Sequence, residues 1–186
     1  VPVREGAAIG LGLHPDPGAA EALRAVAGDR RAAAPVREMA ALALGLTSRS
    51  EEDEAASVRA LALVLRDRGA PATMRACAAM GMGGNRGGDD DLEADAVAPS
   101  EPVPVRVCAA LALGTRARAG TERDGKPFLD AFQRQGDAGL RRGFSLAFGG
   151  ILAEKDVPRF LQLLRSESFR HISRTDSNNQ GLHGPK

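Results

Sequence analysis

"VREMAALALGL", residues 36–46, returns almost letter for letter as "VRVCAALALGT" at residues 105–115. A chain that repeats an eleven-residue string carries a structural unit more than once, and a scan for further copies finds five. They begin at Val3 (VREGAAIGLGL), Val36, Met74 (MRACAAMGMGG), Val105 and Leu140 (LRRGFSLAFGG). Successive starts lie 33, 38, 31 and 35 residues apart. A period in the thirties with this scatter fits paired helices, because connecting loops absorb insertions and helices do not.

Placed at about 100° per residue, the string reads as a helix whose first, fourth, fifth and eighth positions share a face. On that face most copies carry small residues: Gly6, Ala7 and Gly10; Ala40 and Ala43; Cys77, Ala78 and Gly81; Cys108, Ala109 and Ala112. Large residues at the seventh and ninth positions, such as Leu42 with Leu44 and Leu111 with Leu113, flank the small stripe. Such a helix is expected to approach a neighbour closely along its middle. Pro2, Pro35 and Pro104 stand immediately before a copy, where a missing N–H costs nothing in the first turn. The tenth position is always Gly (Gly12, Gly45, Gly83, Gly114 and Gly149), which the pattern predicts as a helix stop in the left-handed conformation.

Between copies lie less regular apolar segments with helical spacing, at residues 19–27, 54–67, 126–135 and 155–166. The unit is therefore helix, turn, helix, turn. The stretch "NRGGDDDLEADAVAPSEP" (85–102) replaces a clear helix and predicts a locally weak point. The last residues, "SESFRHISRTDSNNQGLHGPK", contain no sixth copy. Residues 1–166 read as one array and residues 167–186 as a polar, disordered tail.

The five copies of apolar-Arg-x-x-Ala-Ala-Leu-Ala-Leu-Gly resemble the second helix of HEAT repeats, particularly the short, Ala-rich bacterial type seen in phycobilisome lyase-like proteins. That resemblance covers roughly residues 1–165. It implies an all-α, right-handed α-solenoid of about five HEAT-like hairpins, with the string helices forming the inner row. It implies a non-catalytic protein-binding scaffold more than any particular activity. Two alternatives stand beside it: a lyase-like or chaperone-like accessory protein, and a structural spacer in a larger multidomain protein.

Composition agrees with a packed helical array. Aromatics make up 3% of the chain with no Trp or Tyr, so the core must be built from Ala, Leu, Val and Met. A net charge of +1 offers no field to attract nucleic acid or an anionic membrane. Arg outnumbers Lys 22 to 3, which reads as coding bias, and a flipped base would find no Trp or Tyr to stack upon. The expected partner is another protein, with no nucleic acid and no membrane. Nowhere do about 18 apolar residues run together, and no targeting signal is legible. Two unpaired cysteines are compatible with a reducing compartment and favour the cytoplasm. The abrupt opening on "VPVREGAAIGLGL" reads as part of a longer chain.

Candidate site residues come from the string itself. Its second position is always Arg: Arg4, Arg37, Arg75, Arg106 and Arg141. Its third position (Glu5, Glu38, Ala76, Val107 and Arg142) is expected in the middle of the exposed face. The arginines admit two readings, which are not exclusive. They bond carboxylates or carbonyls between neighbouring repeats, as similar arginines do in HEAT proteins, or they border a partner groove. The second reading names Arg37, Glu38, Arg75, Arg106, Val107, Arg141 and Arg142 as partner-binding residues.

No metal or cofactor is expected. Cys77 and Cys108 share the fourth position of successive copies and read as small core residues, since packed helices lie about 8–10 Å apart and a disulfide needs Cα atoms within roughly 7 Å. His14, His171 and His183 make no pair with Glu or Cys at ligand spacing, and the His-Glu dipeptide of HEAT-like iron hydroxylases is missing. The acidic cluster Asp89, Asp90, Asp91, Glu93 and Asp95 lacks the order of a calcium loop and reads as a solvated loop or helix start. The paired glycines at 83, 87 and 149 follow no strand and precede no Lys-Ser or Lys-Thr, which argues against a phosphate loop.

Overall fold

The computed structural model describes residues 2–14, 16, 18–47, 50–117, 124–134 and 137–165. The disordered tail expected at 167–186 lies outside these residues. Within them the chain is all-α, with ten α-helices. Five contain the string: α1 (Pro2–Leu13), α3 (Ala34–Ala43), α5 (Ala72–Gly83), α7 (Val103–Ala117) and α9 (Ala138–Ile151). The others alternate with them: α2 (Gly18–Gly28), α4 (Glu51–Arg66), α6 (Asp89–Val97), α8 (Lys126–Gln133) and α10 (Val157–Leu163), the last entered through a 3-10 turn at Glu154–Asp156. The string helices touch in chain order, α1 to α3 to α5 to α7 to α9, while α2 touches α4 and α6 touches α8. Each intervening helix also packs on the string helix that follows it.

Local chemistry starts and stops these helices. Pro2 opens α1, and Pro35 and Pro104 fall in the first turns of α3 and α7. Ser50 caps α4 by accepting from the Asp53 N–H, and Asp137 caps α9 by accepting from the Leu140 N–H. The stretch expected to lack a helix does form one, α6. Three aspartates occupy its first turn, where the positive end of the helix favours them, and Leu92 and Ala96 are fully buried beneath. Gly87 and Gly88 lead into it at φ 91° and 74°, values that suit glycine.

The tenth-position glycines are not left-handed stops. Among the described residues, positive φ occurs only at Gly87 and Gly88, and Gly114 and Gly149 sit inside their helices. What the glycines provide is room. A methyl group on Gly12 would lie 2.8 Å from the Ala43 carbonyl oxygen, and one on Gly45 2.7 Å from that of Gly81. One on Gly83 would lie 2.9 Å from the Ala112 Cα, and one on Gly114 2.6 Å from the Ala147 carbonyl oxygen. Every contact joins the tenth residue of one string to the eighth of the next. A single register therefore runs from α1 to α9.

That register also corrects the assignment of faces. The fifth, sixth, eighth and ninth positions are buried in α3, α5 and α7, with Leu44, Met82 and Leu113 fully enclosed at the ninth. The fourth position is only half-buried (Met39, Cys77 and Cys108), so it does not belong to the buried stripe. Its side of the helix is free because neighbours occupy the sides defined by positions eight and ten, and the intervening helix covers the fifth and ninth.

Candidate functional site

Fourth, seventh and eleventh positions of an α-helix fall within about 60° of one another. In this chain they carry Met39 and Leu42 on α3 with Leu46 in the turn that follows it, Cys77 and Met80 on α5, Cys108 and Leu111 on α7, and Leu146 on α9. All are half-buried or exposed, and Leu146 is 68% exposed. Consecutive contacts between string helices place these side chains on one open, apolar face that crosses four helices. Sequence reasoning missed this face because it took the smallest residues as the contact stripe. The signal was available in the eighth position, always Gly or Ala, and the tenth, always Gly, which mark the two contact sides and leave the fourth and seventh between them.

The arginine row lies elsewhere. Arg37 Nε donates to the Ala27 carbonyl at 3.2 Å, Arg75 Nε to Leu65 at 2.6 Å and Arg106 Nε to Ala96 at 3.2 Å. Each reaches back ten residues to the penultimate residue of the preceding helix, where carbonyls lack helical partners. Arg75 and Arg106 are only 3% exposed, and burial pushes both guanidinium pKa values down. Arg75 is further held by Glu101 at 2.5 Å and Asp95 at 3.5 Å, and Arg68 pairs with the same two carboxylates. Buried Arg75, Asp95 and Glu101, joined from the surface by the largely exposed Arg68, tie the start of α5 to α6 and to the turn before α7. Burial also pushes the Asp95 carboxyl pKa up, against the pull of Arg68 and Arg75.

The remaining candidates divide between interior and rim. Glu38 is half-buried and accepts from Thr73 Oγ1 at 2.6 Å, joining α3 to α5. Val107 is half-buried, and its methyl would come within 2.5 Å of a Cβ on Gly143, so it spaces α7 from α9. Arg141 is half-buried and Arg142 exposed on α9. Ala76 is buried, not exposed as its third position implied, because α7 closes over that side of α5. The structure thus brings Glu38, Val107 and Arg142 to the border of the apolar face, and places Arg75 and Arg106 beneath the surface.

Both cysteines are free and half-buried. Burial, then the nearby Glu38 and Cys108, pushes the Cys77 thiol up to about 11, and burial raises Cys108 as well. A thiol held protonated in this way is a poor nucleophile at neutral pH. Among the described residues no three His, Cys, Asp or Glu side chains cluster as metal ligands, and no helix is long and apolar enough to cross a membrane. A cavity of about 480 Å³ near the start of α6 is lined by Glu54, Asn85, Arg86, Asp89, Thr115 and Arg116 among others. Its charges answer one another, Arg116 bonding Asp89 and the Arg86 guanidinium lying 3.9 Å from the Glu54 carboxylate, which also accepts from the Arg86 backbone N–H. No family model, curated protein or solved structure matches the chain.

Proposed function

We propose that the chain is a non-catalytic protein-binding scaffold, built as a right-handed α-solenoid of HEAT-like helical pairs. The observation that carries this reading is the open apolar face of the string helices. A continuous patch containing Met39, Leu42, Met80, Leu111 and Leu146 is unusual on a surface that has no use for it. Methionine adapts its shape to a partner, and a polar rim of Glu38 and Arg142 would set orientation. The arginines Arg37, Arg75 and Arg106 serve this function indirectly, by fixing each pair so that the face keeps its curvature.

Affinity capture from the native lysate tests the proposal, comparing wild type with the triple variant Leu42→Glu/Met80→Glu/Leu111→Glu at equal helicity by circular dichroism. A partner retained by wild type and reduced at least tenfold by the variant is the expected result. Leu63→Glu, at an exposed position of α4, is expected to retain it. Retention by the triple variant with loss in Leu63→Glu would move the binding surface to the intervening helices, and capture of nothing by wild type would refute the scaffold.

A further inference from the structure

We infer that Cys77, Met80 and Cys108 form a site for a soft monovalent metal ion, Cu(I), on the open side of α5 and α7. Thiolate and thioether sulfurs are the donors that such an ion selects. The chain has two cysteines and four methionines, of which Met74 and Met82 are enclosed in the core. The other four, Met39, Cys77, Met80 and Cys108, are all half-buried at fourth or seventh positions of string helices. One donor of the proposed site is a thioether, a ligand type outside the His, Cys and carboxylate sets of the commoner metals.

The register brings these three sulfurs to one place. Cys77 and Met80 are three residues apart on α5 and so are neighbours on its surface. Around the helix the seventh position falls between the fourth and the tenth, and the tenth, Gly83, is the residue that meets α7. Met80 therefore stands on the α7 side of Cys77. Across the groove, the third position of one string abuts the fourth of the next, for the Val107 Cβ on α7 would lie 3.0 Å from a Cβ on Gly143 of α9. One pair earlier, the same relation sets Cys108 against Ala76, the residue before Cys77. Between α3 and α5 it sets Cys77 against Glu38. Glu38 does act electrostatically on the Cys77 thiol, and so does Cys108. The unbranched Met80 side chain adapts to the gap that remains.

Met39 shares the fourth position but belongs to α3, on the side of Cys77 away from Cys108, so it is a neighbour of the site and not a ligand. Both cysteines are free. A thiolate, not a thiol, holds a metal, so binding displaces protons. Two S–H bonds break, two Cu–S bonds form and two protons leave to solvent, with no electron transferred. Three sulfurs fall short of the four protein ligands of a closed zinc site, and the carboxylate beside Cys77, Glu38, already accepts from Thr73 Oγ1. Hard cations, which take oxygen donors, find none among the three. The site needs no partner, so it stands or falls apart from the protein-binding reading.

Anaerobic titration of the reduced full chain with Cu(I), in competition with the chromophoric chelator bicinchoninate, tests this. Wild type is expected to take one Cu(I) per chain from the chelator and, in unbuffered solution, to release two protons. Cys77→Ser and Cys108→Ser are each expected to leave the ion with the chelator, with Ala replacing Ser where circular dichroism shows lost helicity. Met80→Leu, which keeps the volume, is expected to bind about tenfold or more weakly, and Met39→Leu as wild type does. No uptake by wild type, uptake by either single-cysteine variant, Met80→Leu binding as tightly as wild type, one ion shared between two chains, or displacement by equimolar Zn(II) would overturn the inference.

Discussion

At the scale of single residues, glycine has opposite values at two kinds of position. Gly81 rests against the Ala41 carbonyl oxygen of the neighbouring helix, where no backbone can yield to a methyl group. Gly81→Ala is expected to cost about 3 kcal/mol by overpacking, read as a lower urea midpoint at unchanged slope. Gly6 lies inside α1 with nothing within 4 Å of its Cβ position, so Gly6→Ala is expected to gain about 0.5–1 kcal/mol in the same assay. Cys77 supplies a second test. With its thiol raised from 9.0 to about 11, the thiolate fraction at pH 8 falls about a hundredfold. Alkylation of Cys77 in a Cys108→Ser background is expected to be about a hundredfold slower in folded than in urea-unfolded protein. The sign for stability follows: the folded state holds the proton longer, so this contribution is complete below pH 9 and is lost as pH rises toward 11. The sequence gives the glycines their places but not their task, because a glycine that ends a helix and one that admits a neighbour are written the same way.

Single elements are held by a few side chains each. Arg75 joins α5 to the end of α4 and to the carboxylates of Asp95 and Glu101. Arg75→Met leaves those buried acids with Arg68 alone and is expected to cost about 3–5 kcal/mol, seen as a lower thermal midpoint. Adding Glu101→Gln is expected to recover part of the loss, since it removes one of the stranded charges. Helix α10 is attached mainly by Phe160, whose ring meets Phe148 edge-on at 4.7 Å and Phe132 at 5.9 Å. Phe160→Ala is expected to remove amide-exchange protection from residues 157–165 while leaving α5 and α7 protected. Most elements were legible from periodicity and proline placement. Helix α6 was not, because its acidic first turn and flanking Gly and Pro look like a loop until Arg66, at 2.7 Å from Asp91, and the buried Leu92 and Ala96 are seen. The buried ionic group was also hidden, since Asp95 and Glu101 look like surface residues of a charged stretch.

For the whole molecule, one rule accounts for the buried side and the open side: the tenth residue of each string rests on the eighth of the next. The small residues at those two positions bring the string helices together, which leaves the fourth and seventh positions facing outward as an apolar surface. The all-α class and the repeat could be read from the sequence because both are periodic. The open apolar face could not, because its residues are apolar like those of the core and only the register separates them. Cysteine trapping between α5 and α7 tests that register most directly, with Cys77 and Cys108 replaced by Ser. A Cβ on Gly83 would lie 3.0 Å from that of Ala112, so Gly83→Cys/Ala112→Cys is expected to close an intramolecular disulfide under mild oxidation. Gly83→Cys/Leu111→Cys, with the second thiol turned about 100° away, is expected to remain reduced. Closure of both pairs at equal rates, or of the second alone, would contradict the register and with it the placement of the open face.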